Sequence, residues 1–581
     1  MPFSSLAERK DISCVLCGAA GLGIQTVEDM LAKVVAEIGL CVFGTREYMS
    51  RVRGGNNSTE LRIASSRVDA FLDRIDILIP LSRGLRPNIT GRISSSTVII
   101  ADPAELGDEL ERLGGQIIRA DLSSLAKDAG GKVYSNSVAA GLLLGILGLG
   151  TENAEAFLAK RFSGKKDEVA QRNQDALRKG YVLGQSLAGG EGAAAGWPRA
   201  PRGEKIILNG SDAVSLGAMA AGCNFVTAYP MSPATGVLSF FAKNALNAGA
   251  VVEQAEDELA AINMAVGAAY AGGRPIVTTS GGGFALMGEG ISLAGVVEAP
   301  VVVHLSQRPG PATGMATRTE QADLELALYS GHGEFPRAIF APGTMEGAFE
   351  IAQRAFRTAE KFQTPVIILT DQYFMNSFHN VATRELSWLP GPVAVPETGD
   401  GYRRYEKGVG GRSPFGIPGW GKGIVGADSH EHDEAGHVYE DFDLRKRMQE
   451  KRMGKLVEMT AEALPPRFFG PEAYENLVIG WGSTLPILRE ALSLLERNDT
   501  ALLCFEQVWP LHDSTKGFLE KASKTLAVVE GNSTGQFARL LRAATGIEAG
   551  AQVLKYNGLQ FSVEEAASRL REALSGKGGI R

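Results

Sequence analysis

Residues 228–236 read AYPMSPATG, and the apolar run CNFVTA leads directly into them. Pro230 and Pro233 fix φ twice in four positions and remove two backbone donors, so neither a helix nor a sheet ladder continues through them. The segment VLSFFAKNAL that follows has a helical composition. Strand, stiff turn and helix in that order make the repeating unit of an α/β fold. The turn also carries hydroxyls at Tyr229, Ser232 and Thr235 beside a helix start, where backbone N–H groups favour an anion. Ser232 or Thr235 would serve equally as an ordinary helix N-cap.

The same alternation runs through the chain. ISCVLC, IDILI, TVIIA and GQIIRA read as strands of a first α/β domain, residues 1–187. Small residues and prolines without an apolar face then mark residues 188–203 as an interdomain linker. A second block, 204–385, has KIIL, NFVTA, AVVE, PIVTTS, PVVVHLS, AIFA and PVIILTD as strands. Residues 386–470 open on a Gly/Pro-rich irregular stretch, read as a connector or lid, and 471–581 form a shorter α/β domain with LVIGWG, ALLCFE and TLAVVEGN.

A chain of 581 residues, 44% hydrophobic and 22% charged, has ample material for several cores. A net charge of −7 without a basic block argues against a nucleic-acid or anionic-membrane surface. The start MPFSSLAERKDIS has no apolar leader region, and the longest apolar stretch, VAAGLLLGILGLG from Val138, is too short to span a bilayer, so a cytoplasmic protein is expected. Its glycines suit a closely packed core helix. Five scattered cysteines make neither a disulfide framework nor a four-thiolate cluster. Cys14 and Cys17 form a CxxC without a second one to complete a metal site, so they read as buried strand cysteines.

Several glycine-rich turns carry the chemistry. GAAGLG, with Gly18, Gly21 and Gly23, lies between a strand and a helix but lacks the dinucleotide spacing. Nearby REYMSRVRGGNNS groups Arg46, Arg51 and Arg53, suited to a polyanion such as a nucleotide diphosphate, or to a solvated basic loop. In the second block EQAEDELAAINMAVGAAYAGG sets Glu256, Asp257 and Glu258 at a helix start, where the helix dipole alone would favour acids. TTSGGGFALMGEG, residues 278–290, lets a bulky ligand approach the backbone, and SQRPGPATGMATRTEQAD, residues 306–323, adds Arg308 and Arg318. These turns fall at the carboxyl edge of one sheet, the usual ligand side of an open α/β sheet.

Together YPMSPAT, EDELAAINMAVGAAYAGG, TSGGGFALMGE, QRPGPATGMATRTEQADL and GHGEFPR resemble the α chain of the 2-oxoacid:ferredoxin oxidoreductases, in the form with the γ domain fused in front. GAAGLG and SRVRGGNNS resemble that γ domain, and VVEGNSTGQFARLLR the α chain's C-terminal domain. The resemblance implies an α/β fold of several mainly parallel sheets, with a thiamine-diphosphate pyrimidine-type domain and a transketolase-C-terminal-like domain. It implies conversion of a 2-oxoacid and coenzyme A to acyl-CoA, CO2 and reduced ferredoxin. It also implies a partner β chain holding the Mg2+–diphosphate site and a [4Fe-4S] cluster, assembled as an (αβ)2 heterotetramer. The only GDG, residues 399–401, lies in the irregular region with no Asn before Asn476, so it is a decoy for the diphosphate motif.

Carried over by position, the catalytic glutamate is Glu258, whose carboxylate would hold the proton at N1′ of the aminopyrimidine and so activate the cofactor. Tyr229, Pro230, Gly282, Gly283 and Phe284 would complete the cofactor-binding set. Ser232, where the family usually has Thr, and Arg318 would bind the substrate carboxylate, with Arg308 as rival for that part or as the brace of its Pro-rich loop. The match looks most like the 2-oxoglutarate enzymes, whose distal carboxylate needs a second cation. Arg46, Arg51 and Arg53 are candidates for it, and Thr235, Gly21 and Gly23 for substrate or coenzyme A. Pyruvate and branched-chain or aryl 2-oxoacids remain alternative substrates. A non-oxidative thiamine diphosphate lyase and a non-catalytic coenzyme A or nucleotide scaffold are the competing functions. The cluster HEHDEAGH, residues 430–437, has zinc-like ligand types but is read as a solvated or docking loop, and no metal is expected in this chain.

Overall fold

Three sheets organise the chain, and the computed structural model describes residues 3–21, 23–49, 55–163, 167–200, 205–392 and 394–575. Two compact units result: residues 1–208 with 377–384, and residues 209–376 with 385–581.

The first unit has an eight-stranded sheet built around the buried strand Asp11–Ala19. That strand runs parallel to Ile77–Pro80 and antiparallel to Asn56–Ala64, so this sheet is mixed rather than parallel. Cys14 and Cys17 are buried in it as free thiols. The run from Val138 lies in the buried helix Ser135–Leu147, which meets helix Asp167–Ala188 through glycines: a Cβ on Gly141 would sit 1.9 Å from Leu177 O, and one on Gly180 2.0 Å from Val138 O. Only hydrogen fits at such a crossing.

The expected linker behaves differently. Ala193, Ala194 and Trp197 are buried in the first unit's core, Ala193 N donates to Ile146 O at 2.9 Å, and Ala200 N to Gly39 O at 2.9 Å. Small residues read as a spacer because they have no amphipathic period, yet they fill close gaps. Residues 201–204 lie outside the described set.

In the second unit, strands Ala338–Phe340, Val366–Asp371, Val302–Gln307, Pro275–Thr279, Phe225–Ala228 and Val251–Gln254 lie side by side and parallel. Val, Ile and Leu dominate the central strands, which are buried throughout, as both-face coverage by helices requires. The short strand Gln507–Trp509 closes one edge antiparallel. It comes from the segment expected to form a separate C-terminal domain. That segment's own five-stranded sheet is parallel except for the edge strand Arg467–Phe469, and it shares one hydrophobic core with the seven-stranded sheet.

Residues 386–392 and 394–441 are largely irregular, and the helix Phe442–Ala461 follows. It is pinned from below: Lys451 Nζ and Lys455 Nζ each lie 2.5 Å from a different oxygen of the fully buried Glu298 carboxylate. Two ammonium groups pull the Glu298 carboxyl down to about 2 against the effect of burial. His432 of the acidic/His cluster is buried, its ring 4.0 Å from that of Tyr405, while His430 pairs with Asp428. Among the described residues no group of three or more His, Cys, Asp or Glu side chains converges as a metal site would need, and no helix is long and apolar enough to cross a membrane.

Candidate active site

Helix Glu258–Tyr270 starts where Asp257 caps it, the Asp257 side chain accepting from Ala260 N at 2.8 Å. The cap spends Asp257 on the backbone and turns the next residue inward. Glu258 is 3% exposed, and its Oε1 is buried without a hydrogen-bond partner. Burial pushes its carboxyl above the ordinary glutamate range, and the charge of Asp257 adds to the shift.

Facing it is the glycine turn that opens helix Gly281–Leu286. A Cβ on Gly283 would lie 2.2 Å from Thr279 Oγ1 and 2.4 Å from Glu258 Oε1. One on Gly281 would lie 2.4 Å from Asp323 Oδ2. Two carboxylates therefore flank one turn. The Asp323 oxygen is likewise buried and unpartnered, and burial pushes that carboxyl up to about 6 although Arg308 pulls it down. Gly282 is exposed, whereas Phe284 is fully buried in the core, so the glycine backbone and not the Phe284 ring offers the accessible surface.

The double-proline loop is held from two sides. Arg308 Nη1 donates to Ser232 O at 2.7 Å, and Thr278 Oγ1 donates to Ala234 O at 3.3 Å. Behind Thr278 stands His304, 2.8 Å away through Nδ1 and 2.9 Å from Thr370 Oγ1 through Nε2. Burial drives His304 down to about 3, so this chain of hydrogen bonds runs through a neutral imidazole. The Ser232–Pro233 peptide is cis. Tyr229 is 41% exposed at the mouth of the loop and Pro230 is half-buried. Neither Ser232 nor Thr235 caps the following helix: it is Thr235–Ala248 with Ala234 at the N-cap position and no side-chain bond there, which leaves both hydroxyls uncommitted to capping.

The structure thus brings Arg308 to Ser232. Arg318, half-buried farther along the same loop, packs its stem against Gly558, whose Cβ would be 3.3 Å from Arg318 Cβ. In the first unit Arg46 is engaged by Glu28 at 2.6 Å and Asp29 at 2.7 Å, so it is an internal partner rather than a cation held out for substrate. Gly21 is exposed at φ 95° and Gly23 is the left-handed N-cap of helix Ile24–Glu37. Arg51 and Arg53 lie outside the described residues. Asp323 and His304 escape sequence reading because nothing local marks an acid or an imidazole as buried.

A fit to thiamine diphosphate can be judged from these residues alone. An unpartnered buried carboxylate oxygen facing a turn where no side chain fits suits a flat, proton-bearing heterocycle. Residues 216–451 match the family model described as Pyruvate flavodoxin/ferredoxin oxidoreductase, thiamine diP-bdg, and residues 13–183 match Pyruvate ferredoxin/flavodoxin oxidoreductase. The 2-oxoacid:ferredoxin oxidoreductase 2, subunit alpha, of Aeropyrum pernix is 31% identical over 97% of this chain and 98% of its own length.

The chain belongs to the 2-oxoacid:ferredoxin oxidoreductase family.

The 2-oxoglutarate oxidoreductase subunit KorA of Mycobacterium tuberculosis is 28% identical, covering 99% of this chain and 94% of its own. The solved 2-oxoglutarate:ferredoxin oxidoreductase from Magnetococcus marinus, described with 2-oxoglutarate, coenzyme A and succinyl-CoA bound, superposes with a TM-score of 0.88 at 29% identity, covering 98% of this chain and 100% of that one. As an enzyme of this 2-oxoacid:ferredoxin oxidoreductase family, the chain has a thiamine diphosphate-binding domain and the expected α/β architecture. The scaffold reading without catalysis falls with that membership.

Proposed function

We propose that this chain is the α subunit of a 2-oxoglutarate:ferredoxin oxidoreductase, which forms succinyl-CoA, CO2 and reduced ferredoxin from 2-oxoglutarate and coenzyme A. A β partner supplies the Mg2+–diphosphate and iron–sulfur sites, and the working assembly is an (αβ)2 heterotetramer. The observation that carries the reading is the buried, unpartnered Glu258 Oε1 over the Gly283 turn. The names of the Magnetococcus marinus and Mycobacterium tuberculosis relatives support the substrate.

Bound thiamine diphosphate supplies the electron sink for decarboxylation. Glu258 serves it by holding a proton at Oε1, a task its raised pKa favours because the protonated and ionised forms then lie closer in energy. The glycine backbone at 281–283 would admit the ring, since it carries no side chains to block it. Ser232 and Arg308 bind the substrate carboxylate: the guanidinium spends Nη1 on the Ser232 carbonyl and keeps further N–H groups for an anion. Arg308 is preferred to Arg318 in this role because its Nη1 bonds the Ser232 carbonyl of the double-proline loop.

The test is ferredoxin reduction by the reconstituted complex on a panel of 2-oxoacids, with and without coenzyme A. Turnover on 2-oxoglutarate well above that on pyruvate and on branched-chain 2-oxoacids is expected, and preference for either of the others refutes the substrate. Arg308→Lys should raise KM far more than Arg318→Lys, since it loses the guanidinium fork beside the Ser232 carbonyl. The opposite ranking returns the carboxylate to Arg318.

A further inference from the structure

The seven-stranded sheet has a second cavity at the other end of its strands. Its volume is about 1180 Å3, and Arg274, Pro300, Ala338 and Gln363 in its wall lie at or shortly before the first residues of parallel strands, of which Pro275–Thr279 and Val302–Gln307 carry the glycine-rich turns at their opposite ends. That is room for a ligand of nucleotide size. The partly exposed Phe415 and the exposed Trp420 contribute flat apolar surface, with Phe340 and Phe362 buried behind them.

The polar lining is one-sided. Its two carboxylates are already taken: Glu360 receives Arg274 Nη2 at 2.8 Å, and Glu462 pairs with Lys361. Arg357 and Arg412 remain. Among the described residues Arg357 donates through Nη1, to the neutral Pro390 O at 2.9 Å, and Arg412 through Nε, to Val409 O at 3.2 Å and 3.4 Å from Glu458. Arg274 Nη1, Arg354 Nε and Ser413 Oγ, on residues of the wall, are buried behind its surface. The guanidinium N–H groups of Arg357 and Arg412 that these contacts do not use favour an acceptor-rich occupant. Surplus guanidinium donors beside aromatic faces select phosphate and a planar ring.

We propose that this cavity, formed by the amino edge of the sheet, Gly391, Pro392, residues 394–420 and helix Phe442–Ala461, is a second ligand site for an organic phosphate with a flat ring, of the purine nucleotide class. It is separate from the turns that hold Glu258 and Arg308.

The test is calorimetric titration of the chain in complex with its partner, using ATP as probe with inorganic phosphate and adenosine as comparisons. Saturable ATP binding is expected, unaffected by saturating coenzyme A and retained in Glu258→Gln. Arg412→Glu and Trp420→Ala should each weaken it at least about tenfold while turnover without nucleotide stays unchanged. Trp420 is 51% exposed, so its replacement spares the fold even if Arg412→Glu does not. No ATP heat, equal affinity in the Trp420 variant, or loss of binding with coenzyme A present overturns the site. Inorganic phosphate binding as tightly as ATP overturns the ring requirement.

Discussion

Gln321 and Gly531 exchange two hydrogen bonds across 210 positions of sequence: Gln321 N donates to Gly531 O at 2.6 Å, and Gly531 N donates to Gln321 Oε1 at 2.9 Å. Gln321 Nε2 also donates to Trp481 O, and Asn532 Nδ2 to Gln321 O, each at 3.1 Å. The loop that begins with Arg308 is therefore clamped at its far end by turns of the five-stranded sheet. Gln321→Leu removes the acceptor of the Gly531 N–H and one of the two donors to Trp481 O, which Thr484 Oγ1 also serves, so it orphans one buried donor at roughly 1–3 kcal/mol. A lower melting temperature together with a raised 2-oxoacid KM is the expected outcome; calorimetry and steady-state kinetics measure the two separately.

Glu258→Gln preserves shape but cannot hold and release a proton. Turnover should fall roughly 10²–10⁴-fold with the melting temperature nearly unchanged. Asp257→Ala is the contrast: it removes a helix cap, costing roughly 0.5–2 kcal/mol of stability and little chemistry. C2–H/D exchange of bound thiamine diphosphate reads the difference, and normal exchange in Glu258→Gln would sink the assignment.

Gly283→Ala places a methyl 2.4 Å from Glu258 Oε1, whereas Gly288→Ala meets nothing within 4 Å. The first substitution should abolish tight thiamine diphosphate binding and the second should leave it intact. Fluorescence titration with the cofactor on both variants decides it.

Acid should loosen the helix Phe442–Ala461. The folded pKa of Glu298, about 2, lies below its ordinary 4.5, so its contribution is full above 4.5 and is lost as pH falls through 2. Lys451→Met removes one of the attracting charges, leaving Lys455 and Arg404, and should move that loss to higher pH. Urea midpoints measured between pH 5 and 2 test the shift.

Much of this was legible in the sequence. PIVTTS, PVVVHLS and PVIILTD are the buried parallel strands their β-branched runs suggest, and the acids before LAAINMAVGAAY start the expected helix. What stayed hidden depends on distance along the chain. Glu28 and Arg46 pair across a strand and a helix, Gln321 finds Gly531, and Gln507–Trp509 joins a sheet whose other strands come from residues 225–371. Periodicity reports whether a residue faces inward, not which partner waits there, and the choice between Arg308 and Arg318 is such a question. Ala193 and Trp197 failed for another reason, because burial in a crevice leaves no helical or strand period.

Strand Phe378–Ala382 pairs with Cys41–Glu47 in the first unit's sheet, and Asn380 Oδ1 accepts from Val42 N at 3.0 Å. The ribosome reaches it long after the rest of that unit, whose main stretch ends at residue 208. At about 5–20 residues per second, roughly 10–30 s of synthesis separate the two. During that time the edge of strand Cys41–Glu47 has open N–H and C=O groups, and strand Lys205–Asn209, which lies beyond Phe378–Ala382 in the finished sheet, has no neighbour to join. The nascent chain is thus most open to aggregation in its earliest-made part, and a gene cut after residue 208 would leave it so permanently.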